Sequence, residues 1–80
     1  MKKVYIVVGS TGEYSDYSEW NAKAFFDKER ANALLDKLRH IIDETTGMAE
    51  LEKKLRAIDK KAYVDYTGIL YRIDELEVEG

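Results

Sequence analysis

Glu13, Asp16 and Glu19 recur every three residues, interleaved with Tyr14 and Tyr17 and followed at once by Trp20. Carboxylates at such spacing are the oxygen ligands a hard cation such as Ca²⁺ takes, but the twelve-residue ligand order of an EF-hand is missing. Just before them, Val7-Val8-Gly9-Ser10-Thr11-Gly12 runs an apolar segment into a glycine-rich turn, the setting of a phosphate cradle. A Walker loop needs Gly-Lys at its end; here Glu13 follows Gly12, and Glu13 and Asp16 would repel a phosphate. The dinucleotide glycine spacing fails too. His40 is the only histidine and there is no cysteine, so a zinc site has no second nitrogen or sulfur ligand. Ser10, Ser15 or Ser18 could act as a nucleophile only if His40 reached it, and no surrounding motif supports that pairing. The expectation is a protein without catalytic set, cofactor or metal.

What these residues suit instead is contact. Tyrosine offers a large, stiff contact area at low entropic cost and is enriched in interface hot spots. Carboxylates beside it steer encounter with a basic surface. Glu13, Tyr14, Asp16 and Tyr17, with Tyr66 from a later stretch, are therefore the candidate partner-binding residues. Trp20 is expected in the core beneath the loop.

Composition bounds the rest. Eighty residues, 45% hydrophobic with nine aromatics, suit one small folded α+β domain rather than a disordered chain. Cysteine is absent, which points to a cytoplasmic setting, since small secreted domains usually depend on disulfides. Thirteen basic residues are scattered among sixteen acidic ones. That mixture lacks the basic block that phosphate backbones attract, which disfavours nucleic acid as a partner class. The start, Met1-Lys2-Lys3 and then Val4 to Val8, has the shape of a signal peptide, but its apolar run suits neither an export core nor a membrane span.

The elements that must position the loop follow from periodicity. Val4–Val8 is apolar on both faces, as a central strand should be. Gly9–Glu19 reads as a loop, and Trp20, Ala22, Ala24 and Phe26 alternate as one face of a second strand. Asp27 is an N-cap, and Ala31, Leu34, Leu35, Leu38, Ile41 and Ile42 recur at helical spacing. Met48, Leu51, Leu55, Ile58 and Ala62 form a second stripe. A turn at Gly47 explains the offset between the stripes, while one long helix with a coiled-coil seam also fits. Ile69, Tyr71 and Ile73 start a last strand whose apolar phase passes to Leu76 and Val78, suggesting a bulge near Asp74-Glu75. The expected assembly is a three-stranded, mainly antiparallel sheet of order 2-1-3, covered on one face by one or two helices. Tyr5 and Val7 would then lie on the uncovered face, which predicts a homodimer.

Two stretches carry a resemblance. Val4–Trp20, with Thr-Gly-Glu-Tyr-Ser-Asp at 11–16, and Asp65-Tyr66-Thr67-Gly68 before the acidic ending Glu75–Glu79 resemble a group of short uncharacterised proteins from bacteriophages and prophages. The likeness covers about 35 residues at the two ends. It implies a phage-type origin, action in a bacterial host cytoplasm and a shared fold; it transfers no activity. The function expected is binding of a host or phage protein, as an inhibitor in host takeover or anti-defence. The alternative is sequestration of a small molecule such as a nucleotide signal, which would need a deep pocket lined by Tyr and Arg.

Overall fold

In the computed structural model, which describes residues 2–65 and 67–79, three strands and two helices follow the sequence pattern. They are β1 (Lys2–Thr11), β2 (Ser18–Phe25), α1 (Lys28–Glu44), α2 (Met48–Arg56) and β3 (Ile69–Val78). The sheet order is β2-β1-β3, with β1 central and antiparallel to both neighbours. The architecture is thus the small α+β sheet expected.

Its first departure from the sequence reading is at the loop. β1 does not stop at Val8 but continues to Thr11, with Ser10 pairing Glu19 and Leu70, and Thr11 pairing Ser18 and Ile69. The connection between β1 and β2 shrinks to residues 12–17, including a 3-10 turn at Tyr14–Asp16. Ser10 and Thr11 are buried, and pairing on both sides satisfies their backbones.

The second departure is the bulge, which sits in β2 and not in β3. The β1–β2 register shifts between Val7↔Lys23 and Val8↔Asn21, leaving Ala22 as the extra residue. One extra residue flips the phase of everything after it. Phe25 therefore pairs with Tyr5 and packs on the core, while Phe26 and Ala24, expected inside, are exposed. β3 pairs with β1 without interruption from Thr11↔Ile69 to Lys2↔Val78. Its apparent phase change has another cause. Ile69, Tyr71 and Ile73 face the helices, whereas Glu75 and Glu77 continue that face past the core, and Leu76 and Val78 lie on the opposite one.

α1 begins as expected: the Asp27 carboxylate accepts the Glu29 N–H at 2.9 Å. It ends at Thr45, and α2 starts after Gly47, so the two stripes belong to separate helices. Ala31, Leu35 and Leu38 of α1 meet Leu51 and Leu55 of α2 over Val7, Ile69 and Tyr71, with Ala62 and Val64 closing the core. Leu38 and Leu55 are fully buried, and truncating either to Ala should cost about 2–5 kcal/mol. Tyr5 and Val7 thus lie beneath the helices, not on the open face. The expected uncovered face is the other one, carrying Val4, Ile6 and Val8.

Candidate partner-binding surface

Three inward residues in one row build the floor under the loop end of the sheet. Gly9 pairs with Trp20 on one side and Tyr71 on the other. The Trp20 indole lies over Gly9 so closely that a Cβ there would come within 2.6 Å of the ring. The same indole meets the Tyr71 ring edge-on, with centroids 6.4 Å apart. Above them sits the Asp59 carboxylate, only 3% exposed. Its Oδ2 accepts Trp20 Nε1–H at 2.7 Å and Tyr71 O–H at 2.8 Å, and its Oδ1 accepts the Lys61 N–H at 3.1 Å. A buried carboxylate is tolerable only with such partners. Burial, together with Asp59, pushes the Tyr71 phenol far above the ordinary tyrosine range, so it stays neutral and donating. Asp59 thereby ties the segment after α2 to both edge strands.

That segment then reaches the β1–β2 connection. Thr11 Oγ1 donates to the Gly68 carbonyl and accepts the Asp65 N–H at 3.0 Å, while Gly12 N–H donates to Thr67 Oγ1 at 3.1 Å. The β1–β2 connection and the segment leading into β3 are therefore clasped together at one end of the sheet. The same bonds occupy groups that a phosphate cradle would have to offer.

The connection itself displays its side chains. Gly12 has φ +90°, and a Cβ there would stand 2.2 Å from the Asp16 carbonyl oxygen, so only glycine lets the turn fold back so tightly. Within it Tyr14 has φ +53°, an uncommon conformation for a bulky residue, and its side chain is 95% exposed. Glu13, Asp16 and Tyr17 are exposed beside it. Tyr66 lies outside the described residues.

The three periodic carboxylates do not converge. Glu19 turns to the outer face of the sheet, where it accepts Tyr17 O–H at 2.8 Å and Arg72 Nη2–H at 3.1 Å; Arg72 also donates from Nε to Asp74 at 3.0 Å. The Tyr17 hydroxyl first, and Arg72 second, hold the Glu19 carboxyl below the usual glutamate range. Asp16 instead lines an open cleft of about 490 Å³ with Ser15, Ser18, Tyr63 and Asp65. Tyr63 and Asp65 were not among the candidate partner-binding residues, although Asp65 opens the Asp65-Tyr66-Thr67-Gly68 stretch noted in the sequence. Among the described residues no group of three or more His, Cys, Asp or Glu side chains is placed to hold a metal ion, and no helix is long and apolar enough to cross a membrane.

Elsewhere, His40 lies exposed on α1, 3.2 Å from Glu44. A pocket of about 240 Å³ between α1 and β3 includes Arg39 and Tyr71 in its lining, the residue types a nucleotide-binding reading asks for. There, however, Arg39 donates to the Tyr71 carbonyl, and the phenol is turned away to Asp59.

Comparisons with family models, with curated proteins and with solved structures gave no match for this chain.

Proposed function

We propose that this chain is a non-enzymatic, phage-type protein that acts by binding a host or phage protein through the loop end of its sheet, as an inhibitor would. The observation that carries this reading is Tyr14. A bulky residue at positive φ costs about 1–2 kcal/mol over an extended or right-handed conformation, and its ring recovers nothing by packing, being 95% exposed. Strain of this kind collects at recognition sites, where display of the side chain is what the conformation achieves. Tyr14 and Tyr17 supply contact area, and Glu13 and Asp16 favour a basic partner surface. Clasping by Thr11, Gly12, Asp65, Thr67 and Gly68 holds the display rigid, so little ordering entropy opposes binding. In this reading the acting unit is a homodimer in the bacterial cytoplasm, presenting two loop ends.

The test is capture from a bacterial lysate by tagged protein, with the captured partner identified and then titrated against variants. Tyr14→Ala should weaken the purified complex by about 1–3 kcal/mol while leaving the thermal midpoint intact. Equal capture by wild type and Tyr14→Ala would remove the loop from the interface.

A further inference from the structure

The helices cover only one face of the sheet, and the opposite face divides into two halves. Near the loop end, Leu70 is exposed, but Tyr17, Glu19, Arg72 and Asp74 form one hydrogen-bonded network, and Val8, paired with Arg72, is only 4% exposed there. The far half has no such cover. Val4 pairs with Leu76, and Lys2 with Val78, across β1 and β3. Leu76 is 55% exposed, Val78 40% and Phe26, just after β2, 71%, with Lys2 Nζ 5.8 Å from the Phe26 ring centroid.

We infer that this half-face, centred on Val4 and Leu76, is the surface on which two copies of the chain pack about a two-fold axis. The inference deepens the homodimer of the proposed function by naming its interface; it does not depend on the loop end. Two observations select a second copy as the occupant. The first is area. The chain exposes 5730 Å², against about 5,000 Å² for a folded monomer of its 9.3 kDa by the usual scaling. The surplus is close to the roughly 800 Å² that each partner gives to a standard interface. It comes from a slab two layers thick, with Cα extents of 43 × 28 × 17 Å, and packing sheet on sheet would make four layers of it.

The second observation is charge. The row beyond Val4–Leu76 in one direction holds Lys2 and Val78; in the other it holds Ile6 and Asp74. A two-fold axis lying across the strands at Val4–Leu76 exchanges these rows. Lys2 of each copy then lies over Ile6 of its partner, one strand away from Asp74, whose carboxylate also accepts Arg72, so the basic end of each apolar centre faces the acidic end of the other. An isologous interface must be self-complementary in this way.

Sedimentation equilibrium on the full chain, from micromolar to millimolar, tests the inference, with circular dichroism confirming that each variant is folded. Wild type should be a dimer. Leu76→Lys should raise the dissociation constant at least tenfold, and Leu70→Lys should leave it unchanged, because Leu70 is even more solvent-facing (74% exposed) but lies at the loop end. Lys2→Glu and Asp74→Lys should each weaken the dimer, and the doubly substituted chain should recover part of the loss. A wild-type monomer at millimolar concentration overturns both the homodimer and this face, leaving the half-face to another partner or to none. A dimer indifferent to Leu76→Lys, or disrupted by Leu70→Lys, overturns the face alone. In neither case is the loop-end reading touched, since capture through Tyr14 is measured separately.

Discussion

Replacing Asp59 by Ala should be among the most damaging single changes in the chain. The carboxylate is 3% exposed and accepts three hydrogen bonds, from Trp20, Tyr71 and Lys61. A hydrogen bond to a charged group contributes about 1.5–3 kcal/mol, and a donor left unsatisfied in the interior costs about 1–3 kcal/mol. The three donors differ in what they can recover. Lys61 is exposed and Trp20 half-buried, so water reaches both; the Tyr71 hydroxyl belongs to a residue only 3% exposed. Discounting the first two gives a net loss of about 3–4 kcal/mol. An 80-residue domain has a total stability of about 4–12 kcal/mol, so the variant should be marginal, with its thermal midpoint lower by about 15–30 °C. Asp59→Asn keeps an oxygen for Trp20 and Tyr71 but sets an amide N–H against the Lys61 N–H, and should cost only about 1–2 kcal/mol. Urea denaturation of Asp59→Ala, Tyr71→Phe and the double variant reads the coupling directly. It should be about 1–2 kcal/mol in size, because Tyr71→Phe removes a donor that has already lost its acceptor. An Asp59→Ala loss below about 0.5 kcal/mol, or strict additivity, would refute the network as the tie between the segment after α2 and the sheet.

Gly9→Ala should lower stability by about 1–3 kcal/mol, since the new methyl meets the Trp20 ring at 2.6 Å, and Trp20 indole fluorescence should shift as the ring is displaced. Glu19 has its folded pKa depressed by Tyr17 and Arg72. Its contribution is therefore present above the ordinary glutamate range and lost as pH falls through the depressed value. NMR titration should place its midpoint below the ordinary glutamate range, and Tyr17→Phe should raise it. Tyr71 has its pKa raised, so its contribution is present below the ordinary tyrosine range and lost at higher pH. On alkaline titration its phenolate absorbance should appear only together with unfolding.

Much of the frame was legible because it rests on local periodicity. A doubly apolar β1, an Asp27-capped helical stripe and a glycine between two stripes each have one simple physical solution, and the strand order followed from making β1 central. The details that failed depend on partners far away in sequence. Alternation alone put Trp20, Ala22, Ala24 and Phe26 on one face; only the pairing with β1 reveals that Ala22 is extra and that Phe25 is the core residue. The same ignorance of register put Tyr5 and Val7 on the wrong face. At the candidate site, the exposed tyrosines and acids of the β1–β2 connection were readable from residue type. The clasp behind them was not, because it joins Thr11 to Asp65 and Gly68, 54 and 57 residues away. Asp59 gave no signal either: an acid between Ile58 and Lys60 looks like a surface residue until Trp20 and Tyr71 are folded over it.

The central claim, that the strained loop exists to present Tyr14, is tested most directly by Tyr14→Gly with stability and partner capture measured on the same preparation. Glycine adopts positive φ without the steric penalty, and the ring it removes makes no core contact. Relief of about 1–2 kcal/mol of steric cost outweighs the roughly 0.5–1 kcal/mol of extra chain entropy that glycine must lose, so the variant should keep the wild-type thermal midpoint or exceed it while losing most of its partner capture. A destabilised Tyr14→Gly, or a variant that captures its partner as well as wild type does, would contradict the claim.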